Sequence, residues 1–239
     1  MTTLHDTAAH ESAQTIINLF RSERYVQING RRLEHLAALR LPLFGRSVLQ
    51  VGAGIGDLAG FFTDRDCTVT LTDGRRENLD VLRSLHPHVK SFLLDLDQPD
   101  TAFRELYDVV FCYGTLYHLA NPGPAIAYMA ERCREMLLVE TCVSVGDGRA
   151  LHHVAEDAAP DQALAGIGSR PTRAWVHHEL RQLFEFVYLP RLQPADQEFP
   201  TDWTRKPEHD RTRAIFVASK SPLNNPLLTT SIPDHQERV

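Results

Sequence analysis

Three side chains able to do chemistry near neutral pH follow short apolar runs: Asp73, Asp95 and His118. A carboxylate can accept hydroxyl or amine protons, and an imidazole can take up a proton at physiological pH. Ahead of all three stands Ser47-Val48-Leu49-Gln50-Val51-Gly52-Ala53-Gly54-Ile55-Gly56-Asp57, an apolar run ending in glycines at alternate positions. Such a run reads as a buried parallel strand turning into a helix, with glycine where the turn is tight and a ligand presses on the backbone. The helix start would offer unpaired N–H groups.

The spacing constrains the ligand. A dinucleotide fingerprint needs its third glycine at 57, where Asp57 stands, and a carboxylate there repels a pyrophosphate. A nucleoside without phosphates fits better, which points to S-adenosylmethionine. A purely structural turn is the duller alternative. Asp73 lies 21 residues after Gly52, about one strand–helix–strand step, where a ribose diol would meet it. Its other reading is the cap of the next helix. Asp95 can accept an adenine amine, with the backbone of Leu96 reaching a ring nitrogen, while Asp97 is expected to face solvent.

The elements that must position these residues can be read in order. Residues 8–22 suit an amphipathic helix, and a second helix is expected from an N-cap at Asn29. Strands are expected at 47–51, 68–72, 89–94, 107–112 and 136–140, with helices between them, the last running through Ile126, Met129 and Cys133. Their alternation argues a doubly wound α/β sheet, whose ligands bind at the carboxyl ends of the strands. Gly52, Ala53, Gly54, Gly56, Asp73, Asp95 and the stretch Cys112–His118 all fall on that edge. Region 143–170 is an active-site loop or an irregular excursion; a helix is expected over 171–184 and strands around 186–189 and 214–219. The domain reading is a helical cap at 1–46, a cofactor-binding domain at 47–221 and a frayed tail at 222–239.

The chain has 239 residues, 43% hydrophobic and 23% charged, enough for one α/β domain with additions. Its formal net charge of −6 disfavours a general nucleic-acid binder. Cys67, Cys112, Cys133 and Cys142 show no C-x-x-C pairing and read as buried thiols of a reducing compartment. No signal pattern or membrane-length apolar stretch is seen, so a cytoplasmic setting is expected. His152-His153 and His177-His178 lack a ligand spacing, and no metal is expected.

With Gln50-Val51-Gly52-Ala53-Gly54-Ile55-Gly56, Asp73 and Asp95 in hand, residues 47–140 resemble the class I S-adenosylmethionine-dependent methyltransferases. The resemblance implies a Rossmann-like seven-stranded sheet of order 3-2-1-4-5-7-6, its last strand antiparallel. It implies S-adenosylmethionine as cofactor, Asp73 on the ribose and Asp95 on the adenine. The acid opening the family's first motif is Gln50 here. Tyr113-Gly114-Thr115-Leu116-Tyr117-His118-Leu119 is similar to a subset rich in bacterial small-molecule methyltransferases, and more loosely to tRNA wobble-uridine carboxymethyl-transferring enzymes. His118 is then the candidate base for a hydroxyl acceptor or a helix-start histidine bonded to backbone, Tyr117 a wall of the acceptor pocket or a core aromatic, and Cys112 and Tyr113 neighbours of the cofactor. Three readings follow: small-molecule O-methylation, an RNA-modifying transferase, or a non-catalytic cofactor-binding module.

Overall fold

The computed structural model describes residues 4–146, 148–205 and 211–239; the first three residues of the expected cap lie outside them. Two helices, α1 (Leu4–Phe20) and α2 (Glu23–Ala38), lead into β1 (Ser47–Gln50). Then come α3 (Gly60–Thr63), β2 (Thr68–Asp73), α4 (Arg76–Leu85), β3 (Lys90–Leu93) and β4 (Tyr107–Tyr113). A 3-10 turn (Leu116–His118) precedes α5 (Pro122–Glu131) and β5 (Cys133–Cys142). The remainder holds β6 (Leu151–Ala155), β7 (Ile167–Pro171), α6 (Arg173–Arg181), β8 (Phe186–Pro190), β9 (Leu192–Gln193), β10 (Arg213–Ser219), β11 (Leu228–Thr229) and β12 (Glu237–Arg238).

The central sheet runs β3-β2-β1-β4-β5-β10-β8-β11. β1 to β5 are parallel and β10 is antiparallel to both β5 and β8. The first seven positions reproduce the expected order. The eighth, β11, is an addition: it pairs antiparallel with β8 and covers what would be an open edge. Alternation along the strands divides the core. Leu49, Val110, Cys112, Leu137 and Val139 pack with α5 and α6 through Ile126, Met129, Val176 and Leu180. Val48, Val109, Phe111 and Leu138 face the other way, onto Ile28, Leu36 and Phe62. Both faces are covered by helices, which is why the middle strands carry continuous apolar runs, Val109 to Cys112 in β4 and Met136 to Val139 in β5.

Several boundaries differ from expectation for identifiable reasons. Helix α2 starts at Glu23; Asn29 lies inside it and its Oδ1 accepts from Arg32 Nη1 at 2.9 Å. Packing of Ile28 and Leu36 overrides the capping preference of asparagine. The helix after the glycines is only the four residues of α3, reached through successive turns. Cys133 opens β5, and Pro171 closes β7, leaving Thr172 to cap α6 by accepting from Trp175 N at 3.2 Å.

Region 143–170 holds the expected loop at the site, but as the connection of an antiparallel hairpin, β6 with β7, and not as an irregular excursion. The tail is not frayed. Asn225 Nδ2 donates to Leu39 O at 2.7 Å, and Gln236 Oε1 accepts from Trp203 Nε1 at 2.7 Å and Gln193 Nε2 at 2.9 Å. β12 pairs with β9. Polar side chains anchor this tail, so its low apolar content gave the wrong expectation. Among the described residues no helix is long and apolar enough to cross a membrane.

Candidate active site

The glycine turn is built by its backbone. Gly52 sits at φ +60°, and a Cβ there would stand 2.2 Å from Thr115 Oγ1, so only glycine fits. Ala53 N donates to Thr72 O at 2.7 Å and Gly54 N to Asp73 Oδ2 at 2.8 Å, which ties the turn to the end of β2. Gly56 has a different task. Its φ is +86° and a Cβ would meet the His86 ring and Leu71, so it serves packing behind the turn rather than the cavity wall.

One cavity opens over the carboxyl ends of β1 to β4. Of the residues expected at a site, Gly52, Ala53, Gly54, Asp73, Asp95, Leu96, Tyr113, Tyr117 and His118 line it. Cys112 does not. It is fully buried on the α5 side of the sheet, where burial pushes its thiol up to about 12. The one-residue step to Tyr113 reverses the direction of the side chain, so the cavity is met by 113 and not by 112.

Asp73 is buried, and loss of hydration raises its pKa against the pull of its hydrogen bonds. Oδ1 accepts from Arg75 N at 2.9 Å and Asn78 Nδ2 at 3.2 Å, and Oδ2 from Gly54 N. A carboxylate offers about four acceptor sites, so roughly one remains for a ligand hydroxyl rather than two. Asp95 Oδ1 accepts from Asp97 N at 2.9 Å, and Oδ2 has no partner among the described residues. Asp97 does not face solvent as expected: its carboxylate accepts from Ala120 N at 3.1 Å and Asn121 N at 2.8 Å, holding the loop after β4 beside the loop after β3.

His118 Nδ1 meets Glu156 Oε2 at 2.5 Å. Glu156 also accepts from Ala163 N at 2.8 Å and Arg170 Nη1 at 3.3 Å. Its carboxyl is buried, yet the contact with His118 and the Arg170 charge hold it below the usual carboxylate range. With Nδ1–H donated to Glu156, Nε2 is the nitrogen left to accept a proton. Glu156 sits just beyond β6, so the hairpin orients the imidazole. The hairpin loop also closes the far end of the cavity: Asn78 Nδ2 donates to Pro160 O at 2.8 Å, Arg75 Nη2 to Ala163 O at 3.1 Å, and Tyr25 Oη to Asp161 Oδ2 at 2.8 Å.

Beside His118, Tyr117 Oη accepts from Arg213 Nη2 at 3.3 Å. Arg213 Nη1 donates to Glu140 Oε1 at 3.0 Å, and Arg32 Nη2 donates to Glu140 Oε2 at 2.7 Å. Arg213 Nε bonds Glu198 at 2.5 Å, and Glu198 also pairs with Arg24 at 2.8 Å. Of this network only Tyr117 is anticipated above, and Glu156 is not. A signal was present: Glu140 closes the run Met136-Leu137-Leu138-Val139, and Arg213 heads Ala214-Ile215-Phe216-Val217. Opposite charges within two strongly apolar strands call for each other.

The residues at the cavity suit an adenosyl sulfonium. Gly52 and Gly54 give bare backbone, Asp73 and Asp95 each retain acceptor capacity, and Gln50 Oε1 and Tyr113 Oη are buried without protein partners. Among the described residues no group of three or more His, Cys, Asp or Glu side chains could hold a metal ion.

Comparison with known proteins agrees. Residues 49–135 match the family model described as a methyltransferase domain. The chain is 34% identical over 110 residues to a ubiquinone biosynthesis O-methyltransferase of Photobacterium profundum, a match covering 44% of this chain and 46% of that protein. It thus spans under half the length of that relative. Among solved structures, the N-terminal domain of EvdMO1 with SAH bound is 19% identical with a TM-score of 0.59, covering 80% of each chain. The 1,6-didemethyltoxoflavin-N1-methyltransferase of Burkholderia thailandensis, with its substrate and S-adenosylhomocysteine, is 16% identical with a TM-score of 0.55, covering 93% of this chain and 92% of the other. At these identities the two structures establish a shared fold.

Proposed function

We propose that the chain is a class I S-adenosylmethionine-dependent methyltransferase that methylates a hydroxyl group of a small molecule, a reading supported by the methyltransferase-domain match over residues 49–135 and the shared fold. The observation that carries this reading is the meeting, in one cavity, of the glycine turn and two carboxylates with a histidine whose proton-accepting nitrogen is fixed. Asp73 would hold a ribose hydroxyl, Asp95 and the Leu96 backbone the adenine, and Gln50 the amino-acid end of the cofactor. When bound, the cofactor supplies a methyl carbon on a sulfonium, open to in-line displacement.

His118 Nε2 takes the proton of the acceptor hydroxyl as its oxygen becomes the nucleophile, while Glu156 stabilises the imidazolium that results. Tyr117, held through its hydroxyl by Arg213, forms a wall against which the acceptor lies. The relative from Photobacterium profundum is named for O-methylation, which supports oxygen as the target. The chain's net charge of −6 supports a small molecule over a nucleic acid.

Incubating the protein with methyl-labelled S-adenosylmethionine and a mixture of alcohols, phenols and amines, then mapping labelled products by mass spectrometry, tests the proposal. Methyl ethers are expected. Label found on amines alone, or cofactor bound with no product anywhere, would contradict it.

A further inference from the structure

Charge is unevenly distributed along the cavity. Over β2 and β3 the wall presents Asp73 and Asp95 with Arg75 beside them. Elsewhere it presents Arg24 and Arg32 of α2, Arg170 of β7, and Arg211 and Arg213 around the start of β10, five guanidinium groups against Asp57, Asp161 and Glu198. The carboxylates that balance these cations stand mostly behind the wall. Glu140, shared by Arg32 and Arg213, does not line the cavity; neither does Asp196, which holds Arg24, nor Glu156, which holds Arg170. Of these counter-ions only Glu198 reaches the surface of the cavity.

Arg32 and Arg213 are 4% and 3% exposed. Burying ion pairs this deeply gives little stability over apolar packing, so stability alone does not account for them. A wall of guanidinium groups fixed from behind is, however, a preorganised receptor for an oxyanion. Donor capacity remains: Arg32 Nε is buried without an acceptor, and Arg211 lines the cavity with an exposed side chain. We infer that the acceptor carries a carboxylate, seated against Arg170, Arg211 and Arg213 at the β10 end of the cavity. This rests on the methyltransferase reading and adds the substrate class. The amino-acid carboxylate of the cofactor is the rival source of the same chemistry.

Titration calorimetry on protein saturated with S-adenosylhomocysteine separates the two sources, because the cofactor's carboxylate is then already in place. The probes are 3-hydroxybenzoate and 3-hydroxybutyrate, each against its neutral methyl ester. The acid of at least one pair is expected to bind about tenfold more tightly than its ester. In Arg211→Ala that preference is expected to shrink severalfold while S-adenosylhomocysteine affinity stays unchanged. Equal binding of acids and esters, no binding by any probe, or a preference that vanishes on saturation with S-adenosylhomocysteine would each overturn the inference. Failure of S-adenosylhomocysteine itself to bind would overturn the methyltransferase reading, and this inference with it.

Discussion

His118→Ala is expected to slow methyl transfer to the acceptor identified by product mapping about 100-fold or more, with cofactor affinity little changed. The side chain reaches the cavity from the 3-10 turn after β4, and its Nδ1 is committed to Glu156. Removing it takes away the only imidazole lining the cavity among the described residues while leaving the glycine turn and Asp73 untouched. Glu156 acts through His118, as a positioning residue. Glu156→Gln keeps the size of the side chain but loses the charge that stabilises the imidazolium, and should lower kcat about tenfold with KM nearly unchanged. A structural role alone would behave differently from coupling to His118. In the His118→Ala background, Glu156→Gln should cost nothing further, whereas a residue needed only to hold the hairpin would still cost activity. Full activity in His118→Ala would remove general-base catalysis by this residue.

Asp73→Ala is expected to weaken S-adenosylmethionine binding about tenfold or more. Two losses combine. The carboxylate locks the glycine turn through Gly54 N, and it keeps about one acceptor site for a ribose hydroxyl. The two are separated by comparing S-adenosylhomocysteine with its 2′-deoxy and 3′-deoxy analogues. Native protein should bind at least one deoxy analogue several-fold more weakly, and Asp73→Ala should not discriminate. If the variant discriminates as well as the native protein does, Asp73 is a lock on the turn and not a ligand to the ribose.

How far these residues could be read in the sequence depended on the range of the interaction involved. The glycine turn and Asp73 were legible because one strand–helix–strand step has a nearly fixed length, and β1 and β2 pair in register from Ser47 with Thr68 onward. The periodicity gave the strands and their alternation with helices, while the order of the first seven came from the family resemblance. Side-chain direction at a strand end was less secure: Cys112 and Tyr113 face opposite sides of the sheet, and only the second lines the cavity. Contacts between distant segments were not legible at all. Glu156 reaches His118 across 38 residues, and Arg213 reaches Glu140 across 73. The anchoring of the tail by Asn225 and Gln236 belongs to the same class, since it uses polar groups that composition assigns to solvent.

One experiment bears on the cofactor before any acceptor is known. Native protein is titrated in a calorimeter with S-adenosylmethionine and, under the same conditions, with NAD. Saturable one-to-one binding of S-adenosylmethionine at micromolar concentration, with no heat from NAD, is the result expected of a turn that carries Asp57 where a pyrophosphate would need glycine. Binding of NAD in preference to S-adenosylmethionine, or of neither, would contradict the assignment of this sheet edge to an adenosyl sulfonium.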